Sequence, residues 1–163
     1  MSGGRAPAPG GLALVEDLVN TLSVDTGEDR LAVQFGLSGP ALAEAAELRE
    51  ALRAALLAHA GHSAPAGSLA TLNRFLATAP LTVRVDPAGS AALDPPPGDA
   101  LVTRIAAAIA EAVTAGTWTR LKACAAEDCQ WAYYDRSPAA RGRWCTMSVC
   151  GSRAKMRTYR ARG

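Results

Sequence analysis

Cys124, Cys129, Cys145 and Cys150 follow the pattern C-x4-C-x15-C-x4-C, and no other cysteine occurs in the 163-residue chain. Two close pairs separated by a short aromatic and basic segment is what a tetrahedral thiolate site needs. Each pair grips the metal from its own turn, and the segment between returns the chain to it. The spacing points to one structural Zn2+ held by Cys124, Cys129, Cys145 and Cys150, with no coordination position left for a catalytic water. The other readings are two disulfides or four unrelated thiols. Against them, no secretory signal is recognisable, and a disulfide-dense scaffold would not usually leave the 123 preceding residues free of cysteine.

Charge divides the chain at about residue 119. Residues 1–119 carry 7 basic and 12 acidic side chains, whereas residues 120–163 carry 10 basic and 3 acidic. The net +2 of the whole chain therefore conceals an acidic body and a tail of +7, which four thiolates and a zinc ion reduce to about +5. Such asymmetry points to a polyanionic partner. Intramolecular pairing of the tail with the acidic body is the competing explanation.

The body reads as helical. Hydrophobic residues make up 49% of the chain but aromatics only 5%, so the core must be built from Ala, Leu and Val, which suit helices. Leu12, Val15, Leu18, Val19 and Leu22 recur at helical spacing, predicting a first helix of about three turns. LAVQFGLSGP reads equally as a helical turn or an extended link. Ser38 and Pro40 then open a long helix over about 40–60 that stops at Gly61. On it, Arg49 and Arg53 are expected to form a solvated face with Glu50, and His59 and His62 to be exposed at its end. A shorter helix over Leu69–Leu76 ends at Pro80, and Leu81–Asp86 alternates as a half-buried strand with a return strand at AALD. Leu101 to Val113 should form a further long helix, rich in alanine and largely buried. Asn20, an amide within an apolar helix, requires a partner.

No glycine-rich phosphate loop, G-x-S-x-G or H-E-x-x-H is present, and Glu16 and Asp17 point in different directions on their helix. The chain is not expected to be an enzyme. No apolar run approaches the roughly 18 residues of a membrane span, so a cytoplasmic protein is expected.

In the tail, Cys124–Cys129 forms a first knuckle, QWAYYD a strand, RSPAARGRW a turn and return strand, and Cys145–Cys150 a second knuckle leading into a helix. Knuckle, hairpin, knuckle and helix is the order of a treble-clef finger. Trp131 and Trp144 are expected to pack across the hairpin and cover the metal, while one of Tyr133 and Tyr134 faces outward, able to stack on a base. On the terminal helix Arg153, Arg157 and Arg160 fall at i, i+4 and i+7, a row of guanidinium groups suited to phosphate oxygens or guanine edges. Arg141, Arg143 and Lys155 lie at its edge.

The run RGRWCTMSVCGSRAKMRTYRAR resembles the bacterial CGNR-type zinc finger, whose Cys-Gly-Asn-Arg signature reads Cys150-Gly151-Ser152-Arg153 here. Ser152 replaces Asn and is itself a good helix cap. Upstream, DLVNT at Asp17–Thr21, ELREALR and the hairpin resemble the ABATE domain, described as a stress-induced transcription regulator. The resemblance implies a zinc-dependent DNA-binding protein active in transcription regulation and the stress response, with the four cysteines as ligands. The expected architecture is mainly α, of α+β class. A flexible tail covers 1–11, a helical domain with a small β-hairpin 12–119, and a treble-clef-like zinc finger 120–163. Arg141, Arg143, Arg153, Lys155, Arg157 and Arg160 are the candidate contacts to nucleic acid, in particular duplex DNA. The helical domain is the candidate for a small-molecule effector or for homodimerisation. The alternative is a protein-interaction or ligand-sensing module whose finger only stabilises the fold.

Overall fold

The computed structural model describes residues 5–161 of the chain. Six helices and two small hairpins follow in order. α1 (Leu12–Val19) buries Leu12, Val15, Leu18 and Val19, the stripe that its spacing dictates, but ends sooner than the apolar pattern through Leu22 predicts. Its first turn lies so close to α5 (Leu101–Thr114) that a Cβ on Gly11 would stand 2.7 Å from the Ala108 Cβ. α2 (Leu31–Phe35) resolves the ambiguous LAVQF as a short helix, closed by Gly36 at φ +64°. α3 (Gly39–His59) is the long central helix, with Ser38 extended before it and Pro40 in its first turn. α4 (Ser68–Ala77) packs beside α3.

β1 (Thr82–Val85) and β2 (Ala91–Asp94) pair antiparallel, with Val83 opposite Leu93 and Val85 opposite Ala91. They are not half-buried as the alternation predicts. Val83 is 69% exposed, because the main neighbour of the pair is α5, which meets β2. α5 is largely enclosed, as its alanine content predicts: Thr103, Ile105, Ala106, Ala108 and Ala112 are buried, and only Arg104, Glu111, Val113 and Thr114 are exposed.

Two expectations about α3 are overturned. Arg49 and Arg53 are only 4% and 3% exposed. Their guanidinium groups tolerate burial because fixed acceptors replace water. Arg49 donates to both carboxylate oxygens of Asp29 at 2.8 Å, to Glu50 and to the Thr21 hydroxyl. Arg53 donates to Glu50, to the Val19 carbonyl at 2.8 Å and to the Gln130 carbonyl at 3.0 Å. Nor is His59 an exposed helix end: its Nδ1–H donates to the Leu121 carbonyl at 2.8 Å, and Trp118 meets its ring edge-on. Burial lowers the pKa of its imidazole. His62 is partly buried, and its Nε2 has no hydrogen-bond partner among the described residues.

The second hairpin joins β3 (Leu121–Ala123) to β4 (Ala132–Tyr134), in antiparallel register with Leu121 opposite Tyr134 and Ala123 opposite Ala132. The sequence predicts that QWAYYD pairs forward with RGRW. It pairs backward instead, because this places Leu121, Ala123 and Ala132, all fully buried, in one core with α1, α3 and α5. Residues 135–143 form a loop wrapped around a buried ion pair. Lys122 Nζ bonds Asp135 Oδ2 at 2.9 Å and the Ala140 and Gly142 carbonyls, while Asp135 accepts the N–H groups of Ser137 and Gly142. Burial alone would raise the Asp135 pKa, but these donors outweigh it and hold the carboxyl well below its usual range.

Residues 5–11, expected as a flexible tail, form an ordered strap, while residues 1–4 lie outside the described residues. Arg136 donates to the Ala6 and Pro7 carbonyls, and the Ala8 N–H donates to Glu16 Oε2 at 2.6 Å. Asn20 finds its partner 112 positions away. Its amide donates to the Ala132 carbonyl at 3.0 Å and accepts the Ala132 N–H at 2.8 Å, as a neighbouring strand would. Asn20→Ala leaves both backbone groups buried and unsatisfied, and is expected to cost about 2 kcal/mol in denaturant unfolding.

Candidate metal centre and basic surface

The Cys124–Cys129 turn sits at the tip of the β3–β4 hairpin; Cys145 lies two residues before a single π-helical turn, Met147–Gly151, and Cys150 lies within it. The four Sγ atoms lie within 4.8 Å of one another. Cys129 to Cys145 and Cys145 to Cys150 are each 3.6 Å. A disulfide would require about 2.05 Å, whereas zinc–sulfur bonds of about 2.3 Å set tetrahedral edges near 3.8 Å. The thiols are free. The donor set and its spacing fit a zinc ion.

Electrostatics agree with that fit. Hydrogen bonding from Cys129 and Cys145 lowers the pKa of Cys124, and the same contacts raise those of Cys129 and Cys145. Four adjacent sulfurs cannot all ionise without a cation among them. Arg153 supplies one outer partner: Nη2 lies 3.5 Å from Cys150 Sγ, and Nη1 bonds Asp128 at 3.0 Å. The aromatic cover differs from expectation. Tyr133, rather than Trp131, is buried against Cys124, Ala126 and Cys150, with Trp144 beside it. Tyr134 is buried as well, so neither tyrosine is open to a base. Arg5 lies over the Tyr133 ring at 5.0 Å.

α6 (Ser152–Arg160) follows the π turn directly. Ser152 does not cap it; its hydroxyl donates to the Met147 carbonyl and closes the preceding turn. No residue of α6 is buried, and its packing partner is the π turn rather than the body. Arg153, Arg157 and Arg160 line one groove of about 530 Å³. Arg141 and Arg143 line a second of about 780 Å³, together with Arg136 of the same loop and with Arg5, which sequence reasoning missed because nothing local draws the N-terminal strap to the finger. Lys155 is exposed on α6 but lines neither groove. Arg162, counted in the tail charge, lies outside the described residues.

Every ion pair among the described residues stays within one part of the chain. Arg49, Arg53, Arg74, Arg84 and Arg104 pair with carboxylates of the body, and Lys122 and Arg153 with Asp135 and Asp128 of the finger. The junction is instead apolar, reinforced by the neutral Asn20–Ala132 bonds and by the Arg53 and His59 bonds to backbone carbonyls. Among the described residues no helix is long and apolar enough to cross a membrane.

Residues 120–163 match the family described as CGNR zinc finger, and residues 12–116 the family ABATE, described as "Putative stress-induced transcription regulator". Neither description names an enzyme. No curated protein matches the chain. With one match covering more than half of the chain and the other supplying the cysteine cluster and its single structural Zn2+, this protein belongs to the ABATE family and carries a C-terminal CGNR zinc finger.

Proposed function

We propose that this protein is a cytoplasmic, non-enzymatic transcription regulator that binds duplex DNA through its finger. Cys124, Cys129, Cys145 and Cys150 ligate the zinc. When bound, the metal supplies a rigid crosslink between the β3–β4 tip and the start of α6. The observation that carries the reading is the open basic surface: α6 is undocked, and Arg141, Arg143, Lys155, Arg157 and Arg160 have no carboxylate partner among the described residues. The alternative, in which the tail charge is spent on the acidic body, needs ion pairs across the junction. Among the described residues the charges of the two parts do not meet in that way.

Arg153 serves differently from its row. Held by Cys150 and Asp128, it braces the metal ligand, while Arg157 and Arg160 remain for phosphate. The double variant Arg157→Ala/Arg160→Ala is therefore expected to keep its zinc. It should lose at least about tenfold in duplex affinity at about 100 mM salt and reduce the salt slope by about 2. An unchanged slope would point to a protein-interaction module instead.

A further inference from the structure

Resting on the DNA reading above, we propose that the π turn Met147–Gly151 is an apolar wedge that enters a duplex groove between two rails of arginine and bends the DNA.

The turn separates the two basic grooves, because consecutive residues line different ones. Met147 faces the groove of Arg5, Arg136, Arg141 and Arg143, whereas Ser148 and Val149 face that of Arg153, Arg157 and Arg160. On the ridge between them Met147 is 56% exposed and Val149 52%. Two large apolar side chains set outward at the junction of two cationic grooves leave apolar area in water that burial elsewhere would remove.

The ridge is also stiff, as a wedge must be. Cys145 stands just before it, Cys150 lies within it, and both belong to the metal cluster. The Gly151 N–H donates to the Thr146 carbonyl at 3.0 Å, and Ser152 ties the Met147 carbonyl at 3.1 Å. The Met147 sulfur packs so closely on Gly151 that a Cβ there would meet it at 3.0 Å. The facing loop is held from beneath by Lys122 and Asp135, which bind the backbone of Gly142 between Arg141 and Arg143.

The partner chemistry follows from this arrangement. A nucleic-acid duplex offers two strands of phosphate bordering a slot of base edges, and minor-groove proteins insert apolar side chains, methionine among them, between base steps. A lipid surface also joins anionic heads to an apolar layer. It is flat, however, whereas these cations line two separate grooves on either side of the ridge. Arg5 then becomes a phosphate contact, carried to the site by the strap that Arg136 holds.

The test is the end-to-end energy transfer of a doubly labelled duplex titrated with zinc-loaded full-length protein at about 50 mM salt. Wild type is expected to bend the duplex by at least roughly 20°. Met147→Ala/Val149→Ser should bind within about tenfold of wild type and leave the duplex straight, with zinc content unchanged. The single Val149→Ser variant serves if the double variant loses zinc, and should show a reduced bend. A bound but straight wild-type complex, or a bend that survives the substitutions, overturns the wedge and leaves the DNA reading standing. Binding to anionic vesicles with no binding to duplex overturns both.

Discussion

Chelating the metal is expected to unfold residues 120–161 and to take part of the helical body's stability with them. A finger of this size cannot bury enough surface to fold alone, and metal binding contributes on the order of 10 kcal/mol or more in isolated zinc fingers, comparable with the whole stability of a domain. Here the loss cannot stop at the finger. Leu121, Ala123, Ala132 and Tyr134 belong to the same buried cluster as Leu18, Leu52, Leu56 and Ile105. Freeing the hairpin uncovers one side of α3 and orphans Asn20 and His59. At about 25 cal/mol per Å2 of apolar surface the body should lose several kcal/mol, and its helical melting transition should fall by about 10 °C or more. Circular dichroism with and without chelator reads both effects, with the aromatic signal vanishing first. Cys124→Ser should reproduce the chelated state without chelator. A helical transition that stays in place after complete zinc removal would mean that the two parts fold independently.

Arg53→Met is expected to destabilise the holo protein by about 3 kcal/mol. A solvated arginine on a helix face would cost less than about 0.5 kcal/mol on the same substitution, so the experiment separates the two environments. Arg53 donates to Val19 at the end of α1 and to Gln130, the residue after the Cys129 thiol, while Glu50 holds it from the next turn. Removing it strands two carbonyls away from water, each worth roughly 1–3 kcal/mol. Gln130 sits at φ +50°, a conformation that the Arg53 bond helps to hold. The substitution should therefore also weaken zinc binding, read by competition with a chromophoric chelator. Arg53→Lys should recover little, since one ammonium cannot reach all three acceptors in the geometry of a guanidinium.

The cysteine spacing made the metal centre legible, because only a short list of structures brings two pairs of thiols together across fifteen residues. α3, α4 and α5 were legible from local periodicity and from their proline and glycine stops. Where reading failed, a distant partner decided the outcome. Arg49 and Arg53 look solvated beside Glu50 until Asp29, Val19 and Gln130 arrive as acceptors. RGRW looks like a return strand until Asp135 and Lys122 claim the loop backbone and LKA offers an apolar edge that packs on α3. The N-terminal strap has no periodic signal at all; Arg136 and Glu16 hold it in place. The basic grooves were half legible: the row on α6 follows from helix geometry, but Arg5 joins Arg141 and Arg143 only through the fold.

The proposed binding of DNA by the open cationic surface of the finger should be salt-dependent. The most direct test is the salt dependence of duplex binding by the zinc-loaded full-length protein, from about 50 to 200 mM salt. Five free cations on phosphate predict a slope of log K against log salt of about −4.5, with affinity falling by more than a hundredfold across the range. No detectable binding at about 50 mM, or an affinity indifferent to salt, would contradict the account.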